Sequence, residues 1–210
     1  LKSLVYSIRP KQWSKNFIIY FAFLFTVEQA WDPYDIDVAI NLFTKTTLGF
    51  LIFSLLTGAI YLFNDALDIK EDQKHPKKKS RPIPSGDLSK ITAIIFSIIF
   101  GSSSIILSYI LEPTFTFVCI IYVAIFLSYC MFFKRIALLD VISISAGFVL
   151  RAAAGAAIIG VPISPWLYVC TGLGALLIAL GKRRNELDIA GNMSKSQRLV
   201  LTKYSHDFIN

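Results

Sequence analysis

Residues 45–63 read KTTLGFLIFSLLTGAIYLF and run without a break into NDALDIKED, residues 64–72. The first run carries one charge, at its start. At 1.5 Å per residue it is long enough to cross a bilayer core of about 30 Å, and it is too long for an ordinary strand. The second run is as polar as the first is apolar, so the helix leaves the bilayer at Asn64. Working outward, the same pattern recurs at 16–31, 91–111, 114–132, 137–160 and 165–180. This predicts an all-α polytopic membrane protein, a single domain over 1–210 with about six transmembrane helices. Leu111, Glu112 and Pro113 are too short a break for anything but an antiparallel hairpin.

Composition agrees with that count of helices. The chain is 55% hydrophobic and 17% charged with a mean hydropathy of +0.60. Soluble domains average about 25% charged residues, so disorder, a coiled coil and an ordinary soluble domain are excluded. Cys119, Cys130 and Cys170 lie in apolar runs without metal-ligand spacing and read as buried thiols. The basic residues Lys2, Arg9, Lys11 and Lys15 precede a run with no small-residue cleavage site, which is not a secretory signal.

Nineteen of the 21 Lys and Arg residues fall on one side of the predicted spans: before the first, between the second and third, between the fourth and fifth, and after the sixth. The opposite loops carry Glu28, Asp32, Asp35, Asp37 and Glu112, with Lys45 near them. By the positive-inside rule both termini, the segment 64–90 and the segment 181–210 face the cytoplasm.

The end of the second span holds the densest chemistry. At 100° per residue Asn64, Asp68 and Asp72 stack along one face, and Asp65 flanks Asp68. Three carboxylates and an amide repel one another unless a cation sits between them. All-oxygen ligands favour a hard ion such as Mg²⁺, which takes one or two carboxylates and completes its shell with water and substrate phosphate. The bland alternative is a solvated helix end. The segment that follows, HPKKKSRPIPSG over 75–86, sets cations beside the acids, an arrangement suited to a diphosphate. Arg81 is the candidate substrate ligand there, Lys77 to Lys79 read as membrane-surface charges, and His75 and His206 as solvated.

The fifth span adds a second pointer. Asp140 and Arg151 are three turns apart on one face, and Arg151 lies about 17 Å deeper by helical rise. An arginine inside a membrane faces a polar cavity or a structural partner. Small residues at 152–157 permit close packing in either case. Lys15 and Asn16 at the mouth of the first span, with Lys182 and Arg183 at that of the sixth, complete the outline of a cytoplasm-facing cavity.

These residues resemble the UbiA superfamily of intramembrane prenyltransferases. The superfamily's first aspartate-rich motif is matched by Asn64, Asp65, Asp68 and Asp72, followed by Arg81, Pro82 and Gly86. Within it the chain resembles the branch of decaprenyl-phosphate phosphoribosyltransferases, through RPKQWSKN over 9–16, then Tyr129, Lys134 and Asp140, then GFVLR over 147–151 with Gly155, and GKRRNEL over 181–187. The resemblance implies a UbiA-like bundle and Mg²⁺-dependent transfer of a phosphoribosyl group from a diphosphate-bearing donor to a lipid-linked phosphate in the bilayer, with no nucleic acid involved. It implies that Asp65, Asp68 and Asp72 hold the metal and that Asp65, Asp68 and Asp140 are catalytic. Lys15, Asn16, Asn64, Arg81, Tyr129, Lys134, Arg151, Lys182 and Arg183 become substrate-binding. Ile144 stands four residues after Asp140, where aromatic prenyltransferases usually carry a second aspartate-rich motif, and this tilts the reading toward phosphoribosyl transfer. Transfer of a prenyl group from a prenyl diphosphate to a small acceptor stays open. A transporter is disfavoured because no broken helices appear in paired halves. The superfamily commonly has about nine transmembrane helices, so the resemblance also implies that roughly the last third is missing.

Overall fold

The computed structural model describes residues 2–162 and 164–190, and the part of the segment 181–210 beyond residue 190, with His206, lies outside them. The chain order is α1 (Lys2–Ser7), a 3-10 helix (Pro10–Ile19), α2 (Tyr20–Phe25), α3 (Ile36–Leu67), α4 (Ile69–Lys74), a 3-10 turn (Lys78–Ser80) and α5 (Pro82–Ser85). It continues with α6 (Lys90–Leu111), α7 (Pro113–Met131), a 3-10 turn (Phe133–Arg135), α8 (Leu139–Ile159) and α9 (Pro165–Ala190). Among the described residues α3, α6, α7, α8 and the Pro165–Asn185 part of α9 are long and apolar enough to cross a membrane. Their outer faces carry exposed Ile91, Ile98, Ile110, Phe117, Leu173 and Leu177, as lipid contact requires. The protein is an integral membrane protein.

Helix ends follow local chemistry. Asp35 caps α3 through its side chain on the Val38 amide, 3.2 Å, and Ser89 caps α6 on the Thr92 amide, 3.1 Å. Glu112 is extended, Pro113 opens α7, and Gly160, at φ 73°, closes α8 in the left-handed conformation. At the end remote from the basic residues Lys45 pairs with Glu112 at 3.1 Å, tying α3 to the α6–α7 hairpin. The core between α3, α7 and α8 is built from Phe53, Leu56, Phe115, Tyr122 and Ile158, with Ile19 wedged in. A second cluster of Leu4, Leu62, Ala66, Ile83 and Ala93 holds α1 and α5 against the charged end of α3.

The first predicted span takes another form. Residues 10–19 wind as a 3-10 helix, α2 adds six residues, and the chain turns at Thr26, with Glu28 at φ 64° and its amide on the Trp31 carbonyl at 2.8 Å. The reason is a close approach. A Cβ placed on Gly155 of α8 would lie 2.1 Å from the Ile19 carbonyl oxygen, so the segment lies with its backbone directly on α8. Two other expectations are corrected. Helix α9 runs past residue 180 through the Lys182 to Arg184 stretch, and Cys170 is exposed whereas Cys119 and Cys130 are buried.

Candidate functional site

The unbroken acidic stripe expected across Asn64, Asp68 and Asp72 is divided. Helix α3 ends at Leu67, and Asp68 is a joint at φ −95°, ψ 14° from which α4 departs. The backbone bonds still step on, Asp68 N–H to Asn64 O at 3.0 Å and Asp72 N–H to Asp68 O at 2.8 Å. The side chains, however, sort into two pairs. Asp65 and Asp72, both buried, share Arg81, whose Nη1 lies 3.2 Å from Asp65 and 2.7 Å from Asp72. Asn64 and Asp68 share Lys134, which donates to both and forms an ion pair with Asp68.

Two more cations complete the cluster. Arg9 grips both oxygens of Asp65 at 2.5 and 2.7 Å and stacks over Tyr61 at 4.7 Å. Lys78 reaches Asp72 at 3.2 Å, so it is not simply a membrane-surface charge. Three aspartates of one helix end are thus held by cations from three separate segments. His75 accepts the Lys77 and Lys78 amides on Nδ1, at 3.2 and 3.4 Å, and so shapes the turn that delivers Lys78.

Deeper in the bundle Arg151 is buried among neutral groups. It donates to Asn16 Oδ1 at 2.8 Å, the Gly147 carbonyl at 2.6 Å and the Tyr122 hydroxyl at 3.0 Å, with the rings of Tyr122 and Phe148 5.3 and 5.2 Å from its guanidinium carbon. Asn16 is buried as well and gives its amide protons to Ser54 and Thr57, at 3.0 and 3.4 Å. Arg151 meets no carboxylate among the described residues. Its charge is felt instead at Lys15, whose ammonium is held below the ordinary lysine range, first by loss of water to the surrounding protein and then by the positive charges of Arg151, Lys182 and Arg9. Of these cations Arg9 is paired with Asp65, whereas Lys15, Arg151 and Lys182 make no ion pair among the described residues, and cations left without an acid favour an anionic ligand.

Asp140, expected to be catalytic, is fully buried and spends both oxygens on protein. It accepts from Arg183 Nε at 2.7 Å, Arg183 Nη2 at 3.1 Å and the Tyr129 hydroxyl at 3.1 Å. The side chains of Asn16, Tyr129, Asp140 and Arg183 are thus engaged with one another or with neighbouring protein groups in this structure. The Asp140–Arg183 pair fastens α9 to α8 and so sets where neighbouring Lys182 stands. Arg183→Gln would leave a buried carboxylate uncompensated, a loss of about 3–5 kcal/mol. Thermal unfolding of the purified protein in detergent is expected to show it, with exposed Arg184→Gln unchanged.

Among the described residues no three acidic, His or Cys groups converge on one point, so no protein-only metal cage forms. The donor set still fits Mg²⁺, because Asn64, Asp65 and Asp68 offer hard oxygens at one helix end and such an ion needs only one or two carboxylates when phosphate supplies the rest. Arg9 and Tyr122 were not among the candidates from sequence. Arg9 lies in the 9–16 stretch, but its left-handed backbone, φ 52°, which aims it at Asp65, leaves no trace in composition or periodicity.

These features define a class: an integral-membrane helical bundle with an acid-and-cation mouth at one end and an arginine set in neutral groups beneath it. The sequence profile of the UbiA prenyltransferase family matches residues 16–193, and the chain belongs to that family. It is 32% identical to a decaprenyl-phosphate phosphoribosyltransferase of Mycolicibacterium smegmatis, over 100% of this chain and 64% of that protein. It is 31% identical to the enzyme of that name from Mycobacterium tuberculosis, over 98% of this chain and 67% of that protein. The chain thus spans about two thirds of the length of these curated relatives. Among solved structures, a UbiA homolog from Archaeoglobus fulgidus bound to GPP and Mg²⁺ superposes with a TM-score of 0.75 at 19% identity, over 95% of this chain and 69% of that one.

Proposed function

We propose that the protein transfers a phosphoribosyl group from phosphoribosyl diphosphate to a polyprenyl phosphate, at a site facing the cytoplasm. A lipid phosphate oxygen bonds to the anomeric carbon of the ribose, the bond from that carbon to the diphosphate oxygen breaks, and diphosphate leaves. The observation that carries this is the convergence of Arg9, Lys78, Arg81 and Lys134 on Asp65, Asp68 and Asp72, with Lys15 and Lys182, which act on each other, in no ion pair among the described residues. The relatives' names supply the choice of donor.

The lipid phosphate is already anionic near neutral pH and needs no strong base. The difficult event is departure of the diphosphate, and Arg81 and Lys134 stand where they can exchange an aspartate for a phosphate oxygen as charge builds there. Asp65 and Asp68, with Asn64, would hold Mg²⁺, which when bound neutralises charge on the diphosphate. Asp72 keeps Arg81 and Lys78 in reach of it. Arg151 and Lys15 draw the second phosphate inward. The apolar outer faces of the helices would take the isoprenoid tail.

Labelled phosphoribosyl diphosphate given with polyprenyl phosphate to the full-length protein is expected to put label into the lipid phase, with one diphosphate released per lipid labelled. Prenyl transfer is the second reading, favoured by the GPP-bound structural neighbour. Consumption of a prenyl diphosphate with no labelled lipid would reverse the choice.

A further inference from the structure

The 3-10 helix Pro10–Ile19 is long for its kind, since such helices rarely exceed three or four residues. Three residues per turn bring positions i and i+3 into register, and burial follows that period. Asn16 and Ile19 are buried with Trp13 half-buried on the bundle side, while Lys11, Ser14 and Phe17 are exposed. The remaining face carries half-buried Gln12 and Ile18 with exposed Lys15 between them. Lys15 stands there under the influence of Arg151, Lys182 and Arg9. One turn earlier Gln12 lines a cavity of about 640 Å³ whose wall also holds Arg9, Asp65 and Arg81. Gln12 is half-buried, and its side-chain amide makes no hydrogen bond among the described residues.

We propose that Gln12 is a specificity residue for the donor, its amide binding hydroxyls of a phosphorylated sugar held in this cavity against Arg9 and Arg81. The inference rests on the phosphoribosyl reading above. Cations accept any diphosphate and do not tell a ribosyl from a prenyl group. An amide offers two donors and an acceptor, which match a vicinal diol. Beside an isoprenoid chain the same amide would lose water and gain nothing. The cavity sets a neutral amide among cations, since Arg9, Lys11 and Arg81 share its wall with Gln12.

The test is equilibrium binding to the full-length protein in detergent, in the presence of Mg²⁺, with phosphoribosyl diphosphate and inorganic diphosphate as separate probes. Gln12→Leu is expected to weaken phosphoribosyl diphosphate about tenfold, the worth of one or two hydrogen bonds. Inorganic diphosphate should stay within about twofold by the same reasoning, since it lacks the hydroxyls, and its retention shows that the variant is folded. Gln12→Asn, with the same amide on a shorter arm, should recover part of the loss. Unchanged binding of the sugar donor to Gln12→Leu, or an equal loss of both probes, overturns the assignment alone. A wild-type protein that prefers a prenyl diphosphate to phosphoribosyl diphosphate overturns the donor reading and Gln12's role with it.

Discussion

Asp68→Asn in the full-length protein is expected to lower transfer by roughly a thousandfold, about 4 kcal/mol of lost transition-state stabilisation, with little change in thermal stability. The asymmetry has a structural cause. Asp68 is half-exposed at the joint between α3 and α4, and its side chain pairs among the described residues with Lys134, from which an asparagine oxygen can still accept a bond. What the substitution removes is the negative charge that would hold a hard cation against a diphosphate. Lys134 then loses its anionic partner, and the positive charge remains to trap phosphate without the metal that loosens it. Turnover with labelled donor, measured beside a melting curve, separates the two effects. Full activity in Asp68→Asn would sink the metal assignment. Asp140→Asn is the instructive contrast: with its carboxylate buried on Arg183 and Tyr129, stability and activity should fall together.

Gly155→Ala is expected to be as damaging by a different route. The added methyl carbon would meet the Ile19 carbonyl oxygen at 2.1 Å and its carbon at 2.9 Å, and both are backbone atoms that cannot rotate away. The 3-10 helix must retreat from α8, and with it goes the 2.8 Å bond from Arg151 to Asn16. Overpacking costs about 1–3 kcal/mol, and a buried arginine losing a ligand adds a comparable penalty. Loss of transfer and a lowered melting temperature in detergent are the expected readouts. Gly174→Ala, whose Cβ would meet nothing within 4 Å, is the matched control and should behave as wild type. Equal stability of the two variants would show that the segment does not lie on α8 as described.

Helices α6, α7 and α8 were legible from sequence almost to the residue, because apolar length and stop signals such as Pro113 and Gly160 act locally. Helix α3 begins earlier than hydropathy suggested, at Ile36, since a capping aspartate and a mixed first stretch of Asp37, Asn41 and Thr44 start a helix as well as apolar residues do. The segment before α3 escaped for a sharper reason. Hydropathy measures how apolar a run is but not its period, and the three-residue repeat of Trp13, Asn16 and Ile19 depends on a contact with Gly155 far along the chain. The acids of the site were legible as a cluster at a helix end. Their pairing was not, because a helical wheel assumes an unbroken helix and the joint at Asp68 sets Asp65 with Asp72. Arg9 and Arg183 find their carboxylates across 56 and 43 residues, distances over which spacing carries no information.

The cations that hold the three aspartates come from points spread along the chain, and that spread sets a timetable. Arg9 is made before Asp65, and Lys78 and Arg81 follow Asp72 within a few residues. Lys134 arrives only after the α6–α7 hairpin has been synthesised. During N-to-C synthesis Asp65 and Asp72 can thus be neutralised as soon as α5 appears, while Asp68 must wait in water for a partner two helices later. Birth order leaves unmatched longest the one carboxylate of the three that stays partly open to solvent in the finished protein.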